Sequence, residues 1–176
     1  MGDKNHTAAT DDLRTEARIN TLLAMPDEGP SRVSVAAAES LTGGNVAARI
    51  TSISGSSGYF LGGIVAYSNG AKTSLLGVSE ETLATRGAVS AECAREMAEG
   101  ARRAFGADLA VATTGIAGPG GATKRKSVGL VYIARAGADG VTIEEFHFSG
   151  GRARVTDAAT EAALLMLLRG LERYLR

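Results

Sequence analysis

The 176-residue sequence predicts an α/β protein: a three-layer α/β/α sandwich on a mixed sheet, parallel at first and completed by a C-terminal antiparallel hairpin. Three observations predict it. A near-continuous apolar run at 33–38 has the character of a strand buried on both faces, and 59–68 and 108–116 read as two further strands. Helical patterns separate those runs, and strands alternating with helices pair in parallel beneath helical layers. VGLVYIARA and VTIEEFHFS then flank GADG, a hairpin signal that adds two antiparallel strands.

Taken in order, residues 1–9 are polar and are expected to form a disordered lead, with residues 10–176 as a single domain around one core. Thr10 caps a helix from Asp11 to about Met25, with two aspartates in its first turn, and PDEGPS ends it. The first strand breaks at SLTGG (40–44), and a helix follows to about Ile53. GSSG (55–58) turns into the second strand. A short helix covers 71–76, a second follows the Ser79 cap, and Ser90 caps AECAREMAEGARRAF, which Gly106 closes. The third strand runs into a long glycine-rich loop, IAGPGGATKRKS. The last 24 residues form a helix with Ala159, Ala163, Leu164, Leu167, Leu168 and Leu171 on one side.

The 19 basic and 19 acidic side chains balance, which argues against a general nucleic-acid binder. Cys93 is the only cysteine, so no intrachain disulfide forms, as suits a reducing, cytoplasmic setting. No apolar stretch reaches the roughly 18 residues of a membrane span.

Three polar corners leave the three parallel strands, at the carboxyl ends where open α/β sheets bind ligands. The first is SLTGG. Its glycines permit close backbone approach, and the N–H groups opening the next helix can hold an anion or an oxyanion; the plainer reading is a turn with Thr42 as helix cap. AYSNGAK sets Tyr67, Ser68, Asn69 and Lys72 at the second strand end, either as a solvated Asn-Gly turn or with the lysine aimed at the crevice. TTGIAGPGG, with Gly118 inside it, shapes a fixed loop at the third.

The corners match neither a phosphate-binding Walker loop, a G-x-S-x-G elbow nor a dinucleotide fingerprint. Histidine is scarce: His6 lies in the lead and His147 in a strand pattern, so a serine nucleophile here needs another base. Lysine serves when its pKa is depressed. No HExxH or acidic cluster accompanies His147, so no metal site is expected. Cys93 shares a helix face with Met97, Ala101 and Ala104, as a core thiol would, and KRK (124–126) reads as a solvated loop tip or a phosphate contact.

Together AESLTGG, YSNGAK, RGAVS, TGIAGPGG, VGLVYIA and FSGGRARV resemble the CinA C-terminal domain family, over about residues 12 to 174. Its characterised members are nicotinamide mononucleotide (NMN) deamidases of the PncC type. The resemblance implies a metal-independent amidohydrolase of pyridine nucleotide salvage that converts NMN to nicotinate mononucleotide and ammonia without a cofactor. It makes Ser40 the nucleophile and Lys72 its activator, with Tyr67 beside them. Thr114, Gly115 and Arg152 become further site elements, and Thr42, Gly43, Gly44, Asn69 and Gly118 complete the expected substrate contacts. It also implies a homodimer, which the leucine-rich last helix supports. The alternative is a non-catalytic nucleotide- or protein-binding module, in keeping with the family's link to competence and DNA damage. The family's Lys-Pro-Val-Gly is Lys126-Ser127-Val128-Gly129 here, and the N-terminal domain many relatives carry is expected to be absent. For Lys72 to act as a base, neither Glu39 nor another acid should pair with its ammonium.

Overall fold

The computed structural model describes residues 14–24 and 33–176. The Thr10 cap, the start of the first helix, the PDEGP segment and the proposed lead lie outside the described residues. The architecture is the expected α/β/α sandwich. Helix α1 (Thr15–Leu23) precedes β1 (Val35–Glu39), α2 (Asn45–Thr51), a 3₁₀ turn (Ser56–Gly58) and β2 (Phe60–Val65). Then come α3 (Asn69–Leu76), α4 (Glu80–Thr85), α5 (Ala91–Phe105), β3 (Leu109–Gly115), β4 (Leu130–Gly137), β5 (Gly140–His147) and α6 (Arg152–Tyr174).

The sheet order is β2-β1-β3-β4-β5. β1 pairs in parallel with both β2 and β3; β3–β4 and β4–β5 are antiparallel. The chain therefore leaves β1 to one side for β2 and returns to β1's other side for β3, which makes the carboxyl ends of β1 and β3 a topological switch point. β5 runs in the same direction as β3, so four strands deliver their carboxyl ends to one edge.

Period-two alternation divides the core. Val35, Ala37, Leu109, Val111, Val131 and Ile133 face α1, α2 and α6. Ala36, Ala38, Ala110, Ala112, Ala134 and Ala136 face α5, which answers with Cys93, Ala94, Met97, Ala98 and Ala101. Small residues on both sides bring that helix close to the sheet. Within the helical layer α5 also meets α3 closely: a Cβ at Gly100 would lie 2.0 Å from the Leu76 carbonyl oxygen. On the other face Arg49 ties α1 to α6 through Glu16 and Glu161.

Some boundaries differ from the sequence reading for local reasons. α3 starts at Asn69 rather than 71 because Ser68 Oγ accepts from Ala71 N–H, so Asn-Gly becomes helical and Lys72 enters the first turn. The hairpin turn is tighter than GADG: Gly137 and Gly140 pair with each other, and only Ala138 and Asp139 lie between them. Leu164, Leu167, Leu168 and Leu171 of α6 are buried within the chain, whereas Leu165 is exposed. The buried four carry no argument for a dimer; Leu165 is the leucine beyond what one face needs. No helix among the described residues is long and apolar enough to cross a membrane.

Candidate active site

β1 ends at Glu39, and its partner there on β2 is Val65, so Ser40 and Ala66 leave the sheet side by side. Six residues beyond Ala66, the first turn of α3 turns Lys72 back beneath them. Lys72 Nζ donates to Ser40 Oγ at 3.0 Å and to the Ala66 carbonyl at 2.7 Å. The lysine is buried, while Ser40 is half-buried and faces a cavity of about 280 Å³.

Burial of the ammonium pushes the Lys72 pKa down from the ordinary lysine value. A charged Cys93 thiolate would oppose this, but burial raises that thiol to about 11, so near neutral pH it is uncharged. Among the described residues, no carboxylate pairs with Lys72. The nearest acid in sequence, Glu39, is buried and turned away. Its carboxylate accepts from the N–H groups of Gly44 (2.9 Å), Val46 (3.1 Å) and Ala47 (2.9 Å).

This corrects the reading of the glycine corner. The anion at the start of α2 is the chain's own carboxylate, and Glu39 rather than Thr42 caps the helix. Thr42 Oγ1 instead pairs with Thr113 Oγ1 at 2.8 Å, in a buried contact between the β1 and β3 ends. Thr42, Gly43 and Gly44 do not line the cavity, whereas Ser40, Tyr67, Asn69, Lys72, Thr114, Gly115, Gly118 and Arg152 do. Glu39→Gln is expected to destabilise the fold by about 1–3 kcal/mol, because an amide offers one acceptor and brings donors against N–H groups. Thermal unfolding reads this as a loss of about 2–4 °C per kcal/mol.

The rim is set by Arg152 at the start of α6. Its guanidinium donates to the Gly118 carbonyl (3.1 Å) and the Tyr67 hydroxyl (2.5 Å), so Tyr67 is engaged with Arg152 rather than with the Ser40–Lys72 pair. Thr114 donates to the Ala88 carbonyl at 2.6 Å. Gly118 takes φ +83° and packs so that a Cβ would meet Val128 Cγ1 at 2.7 Å, which requires glycine.

His147 is exposed and paired with Glu145 at 2.8 Å. No group of three or more His, Cys, Asp or Glu among the described residues is arranged to hold a metal ion. A larger cavity of about 530 Å³ lies among α1, α2 and α6, but Arg49 there is neutralised by Glu16 and Glu161.

Sequence reasoning missed Glu39, the Ala66 carbonyl, and Ala88 and Val89, which also line the cavity. An acid just ahead of a helix start was the available signal for Glu39, and the RGAVS motif, which contains Ala88 and Val89, was the signal for those two.

Residues 28–171 match the family model described as the CinA C-terminal domain. A CinA-like protein of Citrifermentans bemidjiense is 52% identical over 141 residues, covering 80% of this chain and 34% of that protein. Another, of Geotalea daltonii, is 53% identical over 134 residues, covering 76% and 32%. The chain thus spans about a third of the length of these curated relatives. The crystal structure of the competence/damage inducible protein CihA of Agrobacterium tumefaciens aligns with a TM-score of 0.77 at 45% identity, covering 80% of this chain and 86% of that one. A CinA superfamily protein of Klebsiella pneumoniae aligns at 0.83 with 31% identity, covering 90% and 96%.

Proposed function

Since this chain belongs to the CinA C-terminal domain family, we propose that it hydrolyses the carboxamide of NMN to nicotinate mononucleotide and ammonia, with Ser40 as nucleophile and Lys72 as its base. One observation carries the chemistry: a buried lysine amine 3.0 Å from a serine hydroxyl that borders a cavity, with a backbone carbonyl as its other partner. The substrate rests on the family resemblance, and the guanidinium at the rim suits its phosphate.

Ser40 Oγ attacks the carboxamide carbon as the neutral Lys72 amine takes the hydroxyl proton. The Ala66 carbonyl holds that amine by one N–H and leaves its lone pair for Ser40. The carbonyl oxygen becomes an oxyanion, and the N–H of Leu41, which directly follows the nucleophile, lines the cavity and meets no acceptor among the described residues, is available to it. Collapse of the intermediate breaks the C–N bond, Lys72 returns its proton, and ammonia leaves. Water, deprotonated by Lys72, then cleaves the nicotinoyl–serine ester and frees Ser40.

Incubating the protein with NMN and measuring ammonia and nicotinate mononucleotide tests this reading. NMN binding without ammonia release would favour the non-catalytic module instead. Arg152→Ala is expected to raise KM for NMN about 10–100-fold, the worth of charge-assisted hydrogen bonds to an anion. Turnover of nicotinamide riboside, which lacks the phosphate, should hardly change. Steady-state kinetics on both substrates check this, and an unaltered preference for NMN would assign the phosphate to another group.

A further inference from the structure

We propose that Lys126 is a positioning residue of this site, whose ammonium holds the 86–90 segment in place as a wall of the cavity. Lys126 Nζ donates to the carbonyls of Arg86 (2.7 Å) and Val89 (2.5 Å). The two carbonyls between them are also engaged from the side: Ser90 Oγ donates to Gly87 at 2.8 Å and Thr114 Oγ1 to Ala88 at 2.6 Å. Four successive carbonyls thus accept side-chain donors, two of them from one lysine. Ala88 and Val89 line the cavity together with Ser40 and Lys72.

Lys126 itself is presented by a tight turn. Thr123 N–H donates to the Lys126 carbonyl at 2.8 Å, and Thr123 Oγ1 accepts from Lys126 N–H at 3.1 Å. Lys124 and Arg125 stay exposed at the tip of that turn. The same loop supplies Gly118, Gly120 and Gly121 to the cavity. The ammonium therefore ties together two lining segments that are far apart in sequence. Its compact, tetrahedral set of donors suits two carbonyls three residues apart, and it lies where α4 ends, favourable for a cation. A planar guanidinium on a longer stem does not match this arrangement.

The expected loss is in ligand binding rather than in chemistry, and this part rests on the NMN deamidase reading. Lys126→Met should raise KM for NMN about tenfold, the worth of one charge-assisted hydrogen bond, with kcat within about twofold and an unmoved pH profile. Lys126→Arg should not restore KM. Hydrogen–deuterium exchange of the amides in 86–90 and 116–122 should quicken in Lys126→Met while exchange in β1 and β3 stays as in the wild type. Lys126→Gln, which keeps N–H donors without the charge and should fall between, replaces the methionine variant if that fails to fold. Unchanged exchange with unchanged KM overturns the proposal, as does a fall in kcat with a shifted pH profile, which would put Lys126 in the chemistry. If the wild type neither binds nor hydrolyses NMN, the proposed reaction fails, whereas the exchange comparison still decides whether Lys126 holds the wall.

Discussion

Ser40→Ala is expected to lower the NMN deamidation rate by about 10⁴-fold or more, the scale seen when an attacking hydroxyl is removed from a preorganised site. NMN affinity should stay within a few-fold. In the proposed reaction the hydroxyl would touch only the reacting carbon, while Arg152 and the loops after β2 and β3, which line the same cavity, would grip the rest of the nucleotide. Removing Oγ leaves Lys72 with the Ala66 carbonyl as partner, so the buried amine is not orphaned and the fold should persist. Calorimetric titration of the variant with NMN separates binding from turnover. Rapid quenching of the wild type followed by peptide mass analysis should show a nicotinoyl increment on the Ser40 peptide. Turnover near the wild-type value in Ser40→Ala would remove the serine from the mechanism.

What could be read from the sequence follows from where its polar corners fall. Apolar runs interrupted by Ser, Thr, Asn and Gly show where strands stop. Once those strands are parallel, their ends must share one edge, so SLTGG, YSNGAK and TGIAGPGG converge without any coordinate. The 3.0 Å contact between Ser40 and Lys72 depends on register, because Glu39 opposite Val65 is what sets Ser40 beside Ala66. No periodicity encodes that register. Glu39 and Lys126 stayed hidden for a different reason. Their partners are backbone N–H and carbonyl groups, which every residue carries, so the sequence holds no complementary side chain to point to them. The plainer alternative, Thr42 as a cap, fails although a threonine ahead of a helix is a good cap by propensity, because propensity cannot register that a buried carboxylate already occupies those donors.

Lys72→Arg is expected to lower turnover about 10²–10⁴-fold, the usual contribution of a positioned general base. A guanidinium remains protonated at any pH the protein survives and cannot accept the Ser40 proton. Lys72→Met, of similar length and without an amine, should be equally inactive while folded. The pH dependence of the wild type follows from the same burial. An unperturbed lysine, near ~10.4, is almost wholly protonated at neutral pH. Burial lowers the Lys72 value, so kcat/KM should rise with pH and level off with an inflection below the ordinary lysine range. The sign for stability agrees. Because the depressed group holds fewer protons folded than unfolded, the fold gains stability as pH rises from the folded value of Lys72 toward the ordinary one, and loses it as pH falls through the folded value. Lys72→Met should lack that gain, which chemical denaturation at several pH values would show. If Lys72→Arg kept most of its activity, the cation alone would matter and the base would lie elsewhere. Tyr67 would be the remaining candidate near the pair, and it would first have to leave the Arg152 guanidinium that its hydroxyl oxygen now engages.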